Sequence, residues 1–353
     1  MDSQKNEIAR YFAAANGFTG FRSYFGEVFN PKNYDALYVI KGGPGTGKSS
    51  LMRRISDAIS KRGAETEEIL CSSDSDSLDG IILKSNDKKI AMLDGTSPHE
   101  RDAIIPGAID CIINLGECWD ANWLKAQRDK ILTLTSEKKR AYSSAYFYLN
   151  LAGVYWDRRT QIKKSKINIR FLNSLAKSKA ELIKGATSGE KITRLISGFG
   201  KKGYITLDTP ERITSERYTL CGDDVCAVEY LNLLSEYLYR YGVEFIHCVN
   251  PLDGEATEAV YIPSLSIFVS CREGGTEIEL YDAMTSLTES EKESLRIGEE
   301  IYNRAIFEGE RWFRIAADLH ARLEEIYTSA MNFDLVDNIF NKTLKEISVL
   351  LFD

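Results

Sequence analysis

One stretch constrains this chain more than any other: Tyr38-Val39-Ile40-Lys41-Gly42-Gly43-Pro44-Gly45-Thr46-Gly47-Lys48-Ser49-Ser50. The apolar run that ends at Ile40 reads as a buried parallel strand. Glycines then dominate, and behind them Leu51, Met52, Ile55, Ala58 and Ile59 recur at helical spacing until Gly63 closes the segment. Strand, loop and helix together satisfy G-x-x-x-x-G-K-[ST] in full. Each residue type has a physical task. Glycine allows positive φ and lets backbone N–H groups crowd around anionic oxygens. The helix N-terminus adds its positive end. The expected cradle for nucleotide phosphates is therefore Gly42, Gly43, Pro44, Gly45, Thr46, Gly47, Lys48, Ser49 and Ser50. Lys48 is expected to reach the β- and γ-phosphates, and Ser49 to ligate Mg²⁺.

Residues 66–71, TEEILC, read as a second strand, followed by a polar, acidic loop over 71–80. Lys89–Gly95 reads as a third strand that ends in Asp94. An apolar strand with a terminal carboxylate is the Walker B layout, so Asp94 is expected to share Mg²⁺ with Ser49. Asp79 is preferred over Asp74 and Asp76 as the carboxylate that positions a water or serves as a base. His99, with Thr96 and Ser97 in the loop that leaves the third strand, is the other candidate for that task. For His99 an exposed loop histidine is the preferred reading.

The second half repeats the order of the first. Arg10–Ala13 before Gly20 answers to Arg194–Ser197 before Gly203, and Met52, Ile55 and Ile59 answer to Leu231, Leu234 and Leu238. Gly63 and Gly242 stand at an offset of 179, and third strands starting at Ile90 and Ile267 each begin 19 residues after Cys71 or Cys248. The segment opposite the glycine loop is Cys221-Gly222-Asp223-Asp224-Val225-Cys226, without the lysine and with carboxylates where phosphates would sit. The expectation is an α/β chain of two tandem P-loop NTPase-like repeats, the second with a degenerate loop. Their expected extents are 1–190 and 191–353. Each is expected to carry a helical hairpin, at about 120–184 and about 288–350.

Charge refines this picture. The chain carries a net −7, yet residues 121–180 hold 14 Lys/Arg against 3 Asp/Glu. Lys163, Lys164, Lys166 and Arg170 cluster there, and such a face suits nucleic acid or another polyanion. Residues 271–330, however, hold 14 Asp/Glu against 7 Lys/Arg. A solvated helix face docked near the acidic second half is the preferred reading. No apolar run reaches the ~20 residues a membrane helix needs, and the first residues have no signal-peptide layout, so a cytoplasmic location is expected. Seven cysteines without C-x-x-C spacing and three histidines argue for reduced, mostly buried thiols rather than a zinc site. His247 and Cys248 are strand neighbours whose side chains should face opposite ways.

These segments (YVIKGGPGTGKSSLMRRI, CSSDSDSLDGIIL, IAMLDGTSPH and PGAIDCIINLGECWD, with the counterpart at 194–270) resemble a family of uncharacterised bacterial tandem P-loop proteins, found mainly in Firmicutes and described as ATPases or nucleotide kinases. The resemblance implies ATP or GTP with Mg²⁺ at Gly42 to Ser49. Many relatives look as if they keep two intact loops, and this chain departs there. The expected activity is Mg²⁺-dependent ATP hydrolysis in one live half. Arg212 or Arg217 of the other half is a candidate arginine finger. A small-molecule or nucleotide kinase, and a nucleotide-gated switch with negligible turnover, are the alternatives.

Overall fold

The computed structural model describes residues 8–98, 100–183 and 189–353. It is an α/β chain built on two mixed six-stranded sheets. The first half opens with β1 (Ala9–Phe12) and a hairpin of β2 (Ala14–Gly17) and β3 (Gly20–Ser23), then a short α1 (Phe25–Val28). β4 (Ala36–Lys41), α2 (Lys48–Ser60), β5 (Glu65–Leu70), β6 (Leu78–Ser85), β7 (Lys88–Asp94) and β8 (Asp110–Asn114) follow. Their sheet has the order β1-β5-β6-β7-β4-β8, antiparallel only where β6 pairs with β5 and β7. β6 departs from the expected polar loop. Its apolar Ile81-Ile82-Leu83 pairs with both neighbours, and Asn86 at φ 54° turns the chain into β7. Asp79 therefore sits on a strand.

Helices α3 (Ala121–Ala126), α4 (Arg128–Lys164) and α5 (Ile169–Leu182) lead to the second half. There β9 (Lys191–Arg194), the hairpin of β10 (Ser197–Gly200) and β11 (Gly203–Thr206), α6 (Thr209–Ile213), β12 (Glu216–Cys221) and α7 (Asp224–Arg240) come in turn. β13 (Phe245–Val249), β14 (Thr257–Ile262), β15 (Ile267–Ser270) and β16 (Thr276–Glu279) complete the second sheet. Its order is β9-β13-β14-β15-β12-β16, with the same pattern of parallel and antiparallel pairs as the first. Helices α8 (Glu289–Ala330) and α9 (Phe333–Phe352) end the chain.

The sheets meet through their edge strands. Phe12 N donates to Leu195 O at 2.8 Å and Leu195 N donates to Phe12 O at 3.1 Å, a reciprocal antiparallel bridge. Arg10 lies opposite Glu68 as Thr193 lies opposite His247, 179 residues on, so the expected match of Arg10 with Arg194 is displaced by one residue.

The two helical segments correct the expectation of one hairpin per half. α4 packs along α8, and their ends meet head to tail, with Trp119 bridging Met331 and Ile167 bridging Met284. The helices that follow are exchanged. Leu172, Ala176 and Ala180 of α5 are buried with α7 on the second sheet, whereas Val336, Ile347 and Leu351 of α9 are buried with α2 on the first. The physical reason is length. At about 1.5 Å per residue, helices of 37 and 42 residues are far too long to turn back over the sheet that precedes them. Among the described residues no helix is long and apolar enough to cross a membrane.

Candidate functional site at the glycine loop

The loop joins β4 to α2 at the sheet edge where β4 and β7 end together, with Ile40 opposite Asp94. Gly45 and Gly47 have φ of 67° and 89°, values that L side chains rarely adopt. A Cβ on Gly43 would stand 2.7 Å from the Tyr327 ring, and one on Gly45 would stand 2.6 Å from Glu324 O. The loop is thus closed from outside by the end of α8, where Thr328 Oγ1 donates to Gly45 O at 3.1 Å. No side chain caps the N-terminus of α2, so its first amides are left to the loop interior.

Lys48 Nζ donates to Gly42 O at 3.1 Å and Gly43 O at 2.7 Å, and lies 3.6 Å from Asp94 Oδ2. Thr96 fixes that carboxylate, its backbone N–H donating to Asp94 Oδ1 at 2.9 Å. Thr46 Oγ1 closes the loop on Gly43 O at 2.8 Å. Ser49 Oγ accepts from Leu78 N at 2.9 Å, which ties α2 to the start of β6. Asp79, one residue on, is buried beside Cys71, whose thiol is raised well above its ordinary value by burial and then by that carboxylate. Ser50 is exposed at the first turn of α2. His99 lies outside the described residues.

Groups from the rest of the chain complete the surroundings. The β10–β11 turn enters the 71–79 loop, where Lys201 Nζ donates to Asp74 Oδ2 at 2.5 Å and Lys202 Nζ to Asp76 Oδ1 at 2.7 Å. Lys138 of α4 donates to Nδ1 of His320 at 3.3 Å, and Nε2 of His320 is 3.6 Å from Glu324 Oε1. Burial, then the positive charges of Lys138 and Lys48, push the imidazole down to about 4. Burial and Asp74 push Glu324 up. Sequence reasoning missed Lys138, Lys201 and His320; the Gly200-Lys201-Lys202-Gly203 tip was the readable signal. The candidate fingers are placed elsewhere. Arg212 of α6 pairs with Asp208 just before that helix, and Arg217 of β12 packs beside Gly274 in the β15–β16 loop.

The second half differs at the matching place. Asp223 caps α7, its carboxylate accepting from Val225 N at 2.9 Å. Arg159 pairs with Asp224 at 2.6 Å, and Lys163 pairs with Asp223 at 2.6 Å and Asp224 at 3.0 Å. Burial opposes ionisation of Asp224, but Arg159 and Lys163 outweigh it and hold the carboxyl low. Lys164 joins Glu229 at 3.1 Å, and Lys166 joins Glu291 at 2.9 Å. These members of the basic cluster are thus spent on carboxylates of the second half, the docked arrangement preferred from sequence.

A cavity of about 960 Å³ opens beside α7, and none of its lining residues belongs to the 42–49 loop. All seven cysteines are free; three are buried, two half-buried and two exposed, fewer buried than expected. His247 and Cys248 do face opposite ways: His247 lines that cavity, and Cys248 lies in the core between the sheets. Among the described residues no group of three or more His, Cys, Asp or Glu could hold a metal ion. Comparison with protein-family models, curated proteins and solved structures found no match.

Proposed function

We propose that this chain is a tandem P-loop protein, an internal duplication of one α/β unit, in which the first half binds ATP or GTP with Mg²⁺ and hydrolyses it while the second half is inactive. The identical strand order of the two sheets supports the duplication. One observation carries the nucleotide reading: an uncapped helix N-terminus, two positive-φ glycines, Lys48 and Asp94 converge at one loop. Its donor set suits phosphate oxygens. Mg²⁺ in such a site needs only a hydroxyl and a carboxylate besides phosphates and waters, so Ser49 and Asp94 suffice without a protein cage. When bound, the ion would neutralise charge on the phosphates.

The roles then follow from position. Lys48, now held by two loop carbonyls, exchanges them for phosphate oxygens. Asp94, fixed by Thr96, faces Lys48 from the neighbouring strand. Lys138 and Lys201 supply positive charge from outside the first sheet, the service an arginine finger renders elsewhere. Asp79 is buried on β6, and its task would be to orient a water from there. Asp223 fills the place where the second half would need an anion, which supports its inactivity.

A second reading rests on the end of α8. Because Tyr327 and Thr328 seal the loop and the same helix runs along α4 to the other half, nucleotide binding could be read as a mechanical signal with little turnover. Phosphate release from Mg²⁺-ATP by the purified chain, beside Lys48→Ala, separates the readings. Turnover that falls at least 100-fold in the variant supports the hydrolase. ATP binding lost in Lys48→Ala, with no phosphate released and no acceptor labelled by the wild type, supports the switch. A phosphorylated acceptor would make the chain a kinase. Wild type that binds no nucleotide overturns all three.

A further inference from the structure

Each long helix ends on the other half's loop, and the side chains that arrive there differ in sign. α4 follows the first sheet and brings Arg159 and Lys163 to Asp223 and Asp224 of the second half. α8 follows the second sheet and brings Glu324, Tyr327 and Thr328 to the glycine loop of the first. In the second half the anion at the helix N-terminus is built in, because Asp223 caps α7 with its own carboxylate. In the first half α2 is uncapped, and a carboxylate reaches its loop from outside, on α8.

The contact covers the whole outer side of the loop. A Cβ on Gly45 would stand 2.6 Å from Glu324 O and 2.9 Å from Glu324 Cα, so backbone lies against backbone there. One turn on, Thr328 Oγ1 donates to Gly45 O at 3.1 Å. The Tyr327 ring lies on Gly43, and a Cβ on Gly47 would touch Phe333 and Val336 of α9 at 3.8 and 3.9 Å.

The Glu324 side chain is half-buried among donors. His320, one turn before it, accepts from Lys138 on Nδ1 at 3.3 Å, which leaves the ring proton on Nε2, 3.6 Å from Glu324 Oε1. Burial and then Asp74 work against the ionised carboxyl, while Lys48 and the Gly45 N–H favour it. A loop amide and the motif lysine are also the groups that nucleotide phosphates require. One carboxylate, poorly compensated, thus draws on the donors that a triphosphate would take with several negative charges.

We propose that the end of α8 is a displaceable plug, in which Glu324 is a resident anion at the glycine loop and must withdraw before the phosphates of a nucleotide settle there. The inference rests on the nucleotide reading of that loop. A seated triphosphate repels the carboxylate it replaces, so the plug and the nucleotide exclude each other.

Calorimetric titration of the full chain with Mg²⁺-ATP and Mg²⁺-GTP tests it. Glu324→Gln keeps the size of the side chain and removes its charge, and should bind at least about ten-fold more tightly than the wild type. Thr328→Val, which frees Gly45 O, should gain in the same direction, so the test survives a Glu324→Gln that fails to fold. Glu325→Gln, the same charge change on the exposed neighbour, should stay within about two-fold of the wild type. Hydrogen exchange of the amides at 320–330 should quicken when the wild type is loaded with nucleotide. Wild type that binds nucleotide while Glu324→Gln and Thr328→Val gain nothing, or an equal gain in Glu325→Gln, overturns the plug and leaves the nucleotide reading standing. Tighter binding with unaltered exchange at 320–330 overturns it too, since Glu324 would then act only as a distant charge. If neither the wild type nor the folded variants bind nucleotide, the reading falls and the plug falls with it.

Discussion

His247 is 7% exposed and held neutral, its pKa pushed down to about 4 by burial and then by Lys191. The unfolded chain takes up a proton near pH 6.5 and the folded chain does not. This contribution to stability is therefore complete above that pH and is lost as pH falls from about 6.5 towards 4. A shift of that size corresponds to roughly 3 kcal/mol at about 1.4 kcal/mol per unit. Urea midpoints between pH 7 and pH 4.5 should fall steeply in the wild type and less in His247→Gln. At the loop, Gly45→Val meets both a φ of 67° and Glu324 O, so it should abolish nucleotide binding and lower stability by a few kcal/mol, read by calorimetry and thermal melting. Lys201→Ala should lower kcat more than it raises KM, if its charge acts on the transition state. Lys48, Ser49 and Asp94 were legible because their motif is local: eight consecutive residues and one strand end. Lys138, Lys201 and His320 were not, because α4, the β10–β11 tip and α8 bring them from distant parts of the chain.

The exchange of α5 and α9 governs the elements. Ile347 is fully buried against the first sheet although it belongs to the last helix. Ile347→Ala should cost about 2–4 kcal/mol and weaken nucleotide binding through α2, whereas Leu172→Ala should cost a similar amount and spare it. Denaturant titration and ATP affinity of both variants check this. Periodicity revealed that helices follow each sheet and that α2 and α7 match. It could not say which sheet they cover, because an apolar stripe specifies burial and not the identity of the partner. β6 was hidden for another reason. Its apolar core is short and preceded by the Ser-Asp run of 71–77, so its polar entrance dominated the reading.

At the scale of the molecule, the Phe12–Leu195 bridge, the α4–α8 pair and the two exchanged helices join the halves at several levels. Calorimetry should show one unfolding transition, with equal calorimetric and van't Hoff enthalpies, rather than two. Two separated peaks would mean that the halves melt as independent domains. The strand order makes the two halves alike, but likeness in a sequence does not say that they are interlocked.

The exchange also sets an order in time. A chain leaves the ribosome from its N-terminus, and domains generally fold as they emerge. Here the sheet that carries Lys48 is made first, yet its cover of Val336, Ile347 and Leu351 is made after the whole second sheet. During synthesis it is therefore the later half, already holding α5, that can close first. The loop at 42–49 likewise gains its cover of Glu324, Tyr327 and Thr328 from α8 only near the end of translation, after the second sheet has been made.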